Sequence, residues 1–322
     1  MPYKHVCDKI SWKVRNPALV LTKKKKAAGS ETDLVRRPIK KWSWLFILPT
    51  FLCFCIGFIW PFAQGIYLSF CKFNIPKDAT FVGINNYLKV FDAGFVNAFW
   101  NTALFAVVSV ILINVVAFMI AYALTQKMKG ANLFRTVFFM PNLIGGVVLG
   151  HIWSMIFDGI LRYYSVQLVA DSTLGFWGLV ILVAWQQIGY MMIIYIAGLQ
   201  AVSEDMLEAA NIDGANGAQK LFKVTIPNVM PSITICTFLT LTNSFKLFDQ
   251  NMALTGGAPI ITNVDGSQIR TTEMLALNIF NTYNINKNWH GVAQAKAVVF
   301  FILVAVLALA QQWATRRKEI EQ

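Results

Sequence analysis

Six stretches of the chain carry no Asp, Glu, Lys or Arg: 42–71, 93–126, 136–157, 172–203, 224–245 and 297–315. Each is at least 19 residues long, and the next longest gap, 250–264, has only 15. A helix rises about 1.5 Å per residue, so crossing a hydrocarbon core of about 30 Å takes about 20 residues. The pattern therefore predicts an all-α integral membrane protein with six transmembrane helices, at about 42–70, 99–124, 134–157, 174–199, 228–255 and 293–314. Aromatic residues mark the edges as interfacial belts do: Trp42 and Trp60 bracket the first span, Trp100 and Tyr122 the second.

Composition excludes the soluble alternative. The 322 residues are 56% apolar and 14% charged, where a soluble domain is about one quarter charged. Six buried core helices would need a polar shell that this chain does not have. The net charge of +12 is distributed as a topology signal, not as a nucleic-acid footprint. Segment 1–41 carries 12 Lys and Arg, 125–135 carries 3, 200–227 carries 2 and 315–322 carries 3, against 6 in the alternate loops. Positive residues stay inside, so both termini are expected on the cytoplasmic face of the membrane. The predicted organisation is a basic tail over 1–41, a membrane domain over 42–314 and a short tail over 315–322. The first segment is too long and too basic for a cleaved signal peptide, and a full span follows it. Its Lys23–Lys26 run reads as a solvated topogenic tail.

Catalytic chemistry is thin. The five cysteines, Cys7, Cys53, Cys55, Cys71 and Cys236, show no disulfide pattern, and Cys53 and Cys55 are too close in sequence to share a helix face. The three histidines, His5, His151 and His290, do not pair at ligand spacing with each other or with cysteine, so no metal site is expected. His151 reads as a packed or interfacial residue at the outer end of the third span. Gly146 and Gly150 beside it have the spacing of close helix packing. The dipeptide Gly-Lys never occurs, so the phosphate-cradling loop of an ATPase is missing.

Segment 203–231, SEDMLEAANIDGANGAQKLFKVTIPNVMP, reads as two short helices joined at a glycine. Ser203 can cap the first, with Glu204 and Asp205 in the turn where the helix dipole favours anions. Gly214 tolerates the left-handed turn that ends it. Asn216 and Gln219 have capping-box spacing for the second helix, and Pro227 and Pro231 mark re-entry into the membrane. Met206, Leu207, Leu221, Phe222 and Val224 give the hairpin apolar groups that want either a protein partner or a lipid surface. Composition alone leaves those two open.

A resemblance distinguishes them. EAANIDGA at 208–215, followed by Pro227 and Pro231, resembles the EAA loop of ABC importer permeases. FVGINNY at 81–87, LFRTVFFMP at 133–141 and LTGGAP at 254–259 resemble further segments of the carbohydrate-type permeases, within them the MalF-like or UgpA-like subunit. The resemblance implies the type I importer permease fold. It implies a heterodimer with a MalG-like second permease, a separate ABC ATPase dimer and an extracellular or periplasmic solute-binding protein. The loop 200–227 would dock into the ATPase as coupling helices, through Glu208, Ala209, Ala210, Asp213, Gly214, Ala215, Leu221, Phe222 and Pro227. Glu208 would meet a basic ATPase residue; its alternative role is to stabilise its own helix. No cofactor would be bound by this chain, and ATP with Mg would belong to the partner ATPase. The chain itself would not be an enzyme.

The resemblance also implies a substrate pathway along the fourth and fifth spans, through Gln186, Gln187, Tyr190, Thr240, Asn243, Ser244, Lys246 and Leu247. Amides, hydroxyls and an aromatic ring suit a sugar or oligosaccharide. Lys246 and Asp249, three residues apart, could instead pair on one helix face. Three other readings stay in view. One is a permease for a non-sugar solute such as glycerol phosphate. A secondary transporter would need coupling acids within the spans, where only Asp249 stands. A receptor or membrane enzyme would need a soluble domain or a catalytic cluster.

Overall fold

A computed structural model describes residues 44–126, 128–263, 266, 268–285 and 287–316. The predicted basic tail with its Lys23–Lys26 run, Trp42, Lys127 and residues 317–322 lie outside the described residues. The described chain falls into two units that meet in sequence at Gly65 and Ile66.

The first helix, α1, is Trp44–Ser69. Its large apolar side chains from Trp44 to Trp60 are exposed, and a helix apolar all round belongs in lipid. The turn Cys55–Ile59 is π-helical, and the rings of Phe54 and Phe58 stack 5.2 Å apart.

The larger unit is built on α2, Ala93–Thr125, packed along α5, Ser172–Gln200. On α2 the buried positions Phe105, Ser109, Ile113, Ala117 and Ala121 recur every four residues. The small residues in that stripe let the backbones approach. From α5, Leu179, Leu182, Val183, Met191 and Tyr195 complete the core, while Leu104, Val107, Ile111 and Val115 of α2 face outward. The helix α2 starts six residues before the predicted 99. Asp92 caps it, its Oδ1 accepting from the Phe95 N–H at 2.7 Å, a side-chain effect that hydropathy does not register.

Among the described residues four helices are long and apolar enough to cross a membrane, and counting each of two bent pairs as one span gives six. The predicted third span, 134–157, is two pieces. The helix α3, Ala131–Phe139, runs into a 3-10 turn at Met140–Leu143 and meets α4, Gly146–Leu161, at a bend of 101°. Pro141 has no N–H to continue the ladder, and Gly145 is extended. The predicted fifth span, 228–255, is broken as well. After α6, Glu204–Ile212, comes α7, Gly217–Asn228, bent by 69° from α8, Met230–Phe245. The helix then stops, and α9, Asp249–Leu254, resumes beyond Phe248. The last two helices are α10, Leu275–Ile285, and α11, His290–Arg316.

The two broken spans pack on each other through Gly146 and Gly150. A side chain on Gly150 would meet the Ala253 Cβ at 2.5 Å, and one on Gly146 the Asp249 Cβ at 2.8 Å. The close packing read from their spacing is present. His151, by contrast, is exposed and not packed.

Two short antiparallel ribbons add to the helices at the end where α2 begins. In the first, β1 (Cys71–Lys72) pairs with β2 (Thr80–Phe81), placing Cys71 opposite Phe81. In the second, β3 (Ile260–Thr262) pairs with β4 (Gln268–Arg270), placing Ile260 opposite Arg270. They satisfy the backbone of loops that leave and re-enter the bundle.

Candidate functional site: a helical hairpin, a polar path and a buried ion network

At one end of the bundle α6 and α7 form the hairpin read from the sequence. Ser203 stands at the N-cap of α6, but its side chain makes no capping bond. The acidic first turn of Glu204 and Asp205 remains to offset the helix dipole. At the turn, Gly214 has φ +75°, the left-handed region that side chains with a Cβ resist. The Ala215 N–H closes the helix by donating to the Ala210 carbonyl at 2.9 Å. The capping box is complete: Gln219 N–H donates to Asn216 Oδ1 at 2.8 Å, and Asn216 N–H donates to Gln219 Oε1 at 2.9 Å. Lys220 Nζ donates across the turn to Asn211 Oδ1 at 2.7 Å, holding the two helices in register.

The hairpin presents one surface outward. Glu208, Ala209, Asp213 and Gly214 are exposed, Ala215, Leu221 and Pro227 half-buried, and Ala210 buried. Leu207 packs on the bundle core, which anchors α6. Ile212 is 87% exposed and Phe222 66% exposed. Ile212 was not among the sequence-predicted residues; its place within the motif was the available signal.

The predicted polar path separates into two groups. On α8, Thr240 and Ser244 fall on one buried face, and Leu247, just past its end, is buried as well. Thr240 donates back to the Cys236 carbonyl at 2.8 Å, and Ser244 donates back to the Thr240 carbonyl at 2.8 Å. Thr240 also accepts from Asn114 Nδ2 at 3.3 Å, and Asn114 Oδ1 accepts from Tyr195 OH at 2.7 Å. These three therefore do not line an open path in this chain: the period of α8 turns Thr240 and Ser244 into the core, and Leu247 is buried beyond its end. Asn243 is half-buried and Lys246 exposed; they lie on the other face.

On α5, Gln186 and Gln187 are buried and Tyr190 half-buried. Gln186 donates to the Ile144 carbonyl at 3.2 Å, at the bend of the third span, and accepts from Gln250 Nε2 at 2.7 Å. Gln187 Oε1 is buried without a hydrogen-bond partner. Lys246 and Asp249 do not form the pair that their spacing suggested. The only ion pair among the described residues is elsewhere, because the helix ends between them.

That pair lies at the opposite end of the bundle, and the sequence reading left it without a role. Lys296 of α11 is 1% exposed. Its Nζ donates to Asp92 Oδ2 at 2.7 Å, Thr282 Oγ1 at 3.0 Å and Asn278 Oδ1 at 3.1 Å. Asn278 in turn donates to Glu273 Oε2 at 2.7 Å, and Asn281 donates to Glu273 Oε1 at 2.5 Å. Burial pushes the Glu273 carboxyl above its usual value, against the opposing effect of the two amide bonds and of Arg270 and Lys296. The loop that carries it is held by α2, where Asn97 donates to the Arg270 carbonyl at 3.0 Å and Asn101 to that of Thr271 at 2.5 Å. The signal in the sequence was one lysine just inside an apolar run and one aspartate just before another.

A multi-pass helical membrane protein with two interrupted spans and an exposed helical hairpin has the architecture of an importer permease. A chain of a bacterial ABC transporter involved in the import of the acidic polysaccharide alginate superposes with a TM-score of 0.71 at 18% identity, covering 88% of this chain and 98% of that one. The family model described as "binding-protein-dependent transport system inner membrane component" matches residues 129–320, and the chain belongs to that family. Among curated relatives, the probable starch degradation products transport system permease protein AmyD of Thermoanaerobacterium thermosulfurigenes is 42% identical over 289 residues, 87% of this chain and 96% of that protein. The multiple sugar-binding transport system permease protein MsmF of Streptococcus mutans is 28% identical over 298 residues, 89% of this chain and 99% of that protein.

Proposed function

We propose that the chain is one of two permease subunits of an ABC importer for a starch-derived oligosaccharide. The observation that carries the coupling half of this reading is the exposed hairpin. Its backbone is fixed by a left-handed glycine and a capping box, yet Ile212 and Phe222 stand in the open. Large apolar side chains on a rigid projecting element call for a protein partner. In this reading the hairpin faces the cytoplasm and seats in a separate ATPase, which binds ATP and Mg; this chain binds no cofactor. Both termini are cytoplasmic, and a solute-binding protein delivers solute to the opposite end. A second, MalG-like permease completes the path. The substrate is assigned from the relatives' carbohydrate substrates together with the amides of Gln186, Gln187 and Asn243 and the ring of Tyr190, buried or half-buried between the spans.

Mechanism follows from the breaks. Movement of a docked α6–α7 hairpin is passed to α8 through the 69° bend at its base. Beyond α8, α9 is locked against α4 by the Gly146 and Gly150 contacts. A push at the hairpin therefore reaches the inner side of the broken third and fifth spans, where Gln186 and Gln250 meet.

The test is uptake by vesicles holding this chain, its second permease and its ATPase, with the binding protein supplied outside. Maltotriose uptake that depends on ATP, with none for glycerol 3-phosphate, supports the reading. Uptake of glycerol 3-phosphate alone would reassign the substrate, and uptake driven by an ion gradient without ATP would overturn the importer class.

A further inference from the structure

Beside the Lys296 network lies a cavity of about 360 Å³, at the end of the bundle opposite the hairpin. Its volume falls in the range of small-molecule sites, about 300–1,000 Å³. Asp92, Glu273 and Lys296 belong to its lining, and so do Arg270, Gln268 and Trp289. The ion network consumes most of its own hydrogen-bonding capacity. Lys296 spends three donors on three partners, and each Glu273 oxygen accepts one amide.

What remains for a guest is mixed. Arg270 gives one N–H to the Gly256 carbonyl and keeps its other donors. Asn281 gives its amide to Glu273 and keeps its carbonyl oxygen as an acceptor. Gln268 offers both kinds of group, and Trp289 offers an indole face with one N–H. The formal charges of Asp92, Glu273, Arg270 and Lys296 cancel, so the lining favours a neutral guest over an anion or a cation. A pyranose meets that description, with hydroxyls that both donate and accept and a CH face for an aromatic ring.

We propose that this outer cavity is a second carbohydrate subsite, which holds one sugar unit of the solute before it enters the path between the broken spans. The proposal rests on the oligosaccharide reading above. It differs from the Gln186–Asn243 region in position and in residues. The ion network acts as a rigid floor, fixing Asn281 through Glu273 and joining α2, α10 and α11 into one wall. Because Trp289 and Gln268 take no part in that network, they can be changed without disturbing it.

The experiment uses the assembled transporter in nanodiscs, without its binding protein, and maltotriose as probe. Saturation-transfer NMR reads weak contact directly, and uptake is measured in parallel in vesicles with the binding protein present. In the unaltered transporter maltotriose should show saturation transfer. Trp289→Ala, and Ala93→Leu, which fills the lining, should each reduce it about fivefold, the factor expected for losing one good polar or stacking contact. Gln268→Ala should reduce it in the same direction. Uptake of maltotriose with no saturation transfer, or with transfer unchanged in Trp289→Ala and Ala93→Leu, overturns the subsite while leaving the permease reading intact. If the unaltered transporter takes up no maltotriose but does take up glycerol 3-phosphate, the oligosaccharide reading has failed, and the subsite with it.

Discussion

Lys296 is a cation with almost no contact with solvent, and its charge is met by Asp92 at 2.7 Å. Removing one partner of a buried pair leaves the other uncompensated, which costs about 3–5 kcal/mol. Asp92 is 31% exposed, so water can relieve part of its share and the effect should lie at the lower end. Lys296→Met is therefore expected to destabilise the folded protein by about 3 kcal/mol, and Asp92→Asn by less because the amide can still accept from lysine. Thermal unfolding in nanodiscs measures both; equal, small losses would show that the pair is solvated. Glu273 gives a signed pH effect. Its folded carboxyl titrates above the ordinary 4.5 because burial disfavours the anion. Between the ordinary value and the raised one, the folded state holds a proton that the unfolded state has released. Stability is fully present below about pH 4.5 and declines as pH rises through the folded value. Glu273→Gln should flatten that decline and raise the melting temperature at neutral pH relative to the parent, a comparison made by unfolding scans across the acidic range. These partners were not legible in the sequence. Asp92 lies 204 residues from Lys296, and Asn278 and Thr282 stand on a different helix from both, so only the fold brings the four together.

At the scale of the element, local chemistry was read well and long-range continuity badly. Gly214, Asn216 and Gln219 are short-range signals, and the turn and capping box they spell out are formed. Spans 134–157 and 228–255 are interrupted at places the charge-free runs do not mark, because hydropathy counts apolar residues and does not register bends. Pro141 beside the glycines at 145 and 146 carried the information about the first bend, but a proline in a membrane helix is tolerated often enough to make it ambiguous. The α4–α9 contact can be tested through its smallest residue. Gly150→Leu would force α9 away at Ala253, costing about 1–3 kcal/mol as overpacking does, and should lower uptake more than ATP hydrolysis. Unchanged uptake would mean that the two broken spans need not move together. For the hairpin, Gly214→Asp should strain the turn by about 1 kcal/mol or more. Glu208→Lys reverses an exposed charge. Both should leave the protein in the membrane and abolish transport, through loss of the ATPase or uncoupled hydrolysis, as read by co-purification and ATPase assay. Wild-type transport with the ATPase attached would remove the hairpin from the coupling role.

For the whole molecule, the distribution of Lys and Arg predicts one sidedness. In a background without its own cysteines, a cysteine replacing exposed Asn85 should react with an impermeant reagent in intact cells. One at Gly217 should react only after permeabilisation. Labelling of position 217 from outside would invert the topology and detach the hairpin from any cytoplasmic ATPase.

The gap between α8 and α9 has a consequence of another kind. An uninterrupted transmembrane helix closes its backbone amides into one ladder that lipid cannot compete with. Where the ladder stops, at Lys246–Phe248, some peptide groups have no helical partner, and they must be served by side chains, by water or by a neighbouring chain. Lys246 N–H still reaches the Thr242 carbonyl at 3.2 Å, but that of Leu247 finds the Ser244 carbonyl only at 3.4 Å. These few amides should exchange their hydrogens for deuterium faster than those of α5 at the same depth. The rate should change when the assembled transporter is trapped with nucleotide. The discontinuity thus acts as a natural reporter, registering inside the bilayer, without any attached label, whether a stroke at the hairpin has arrived.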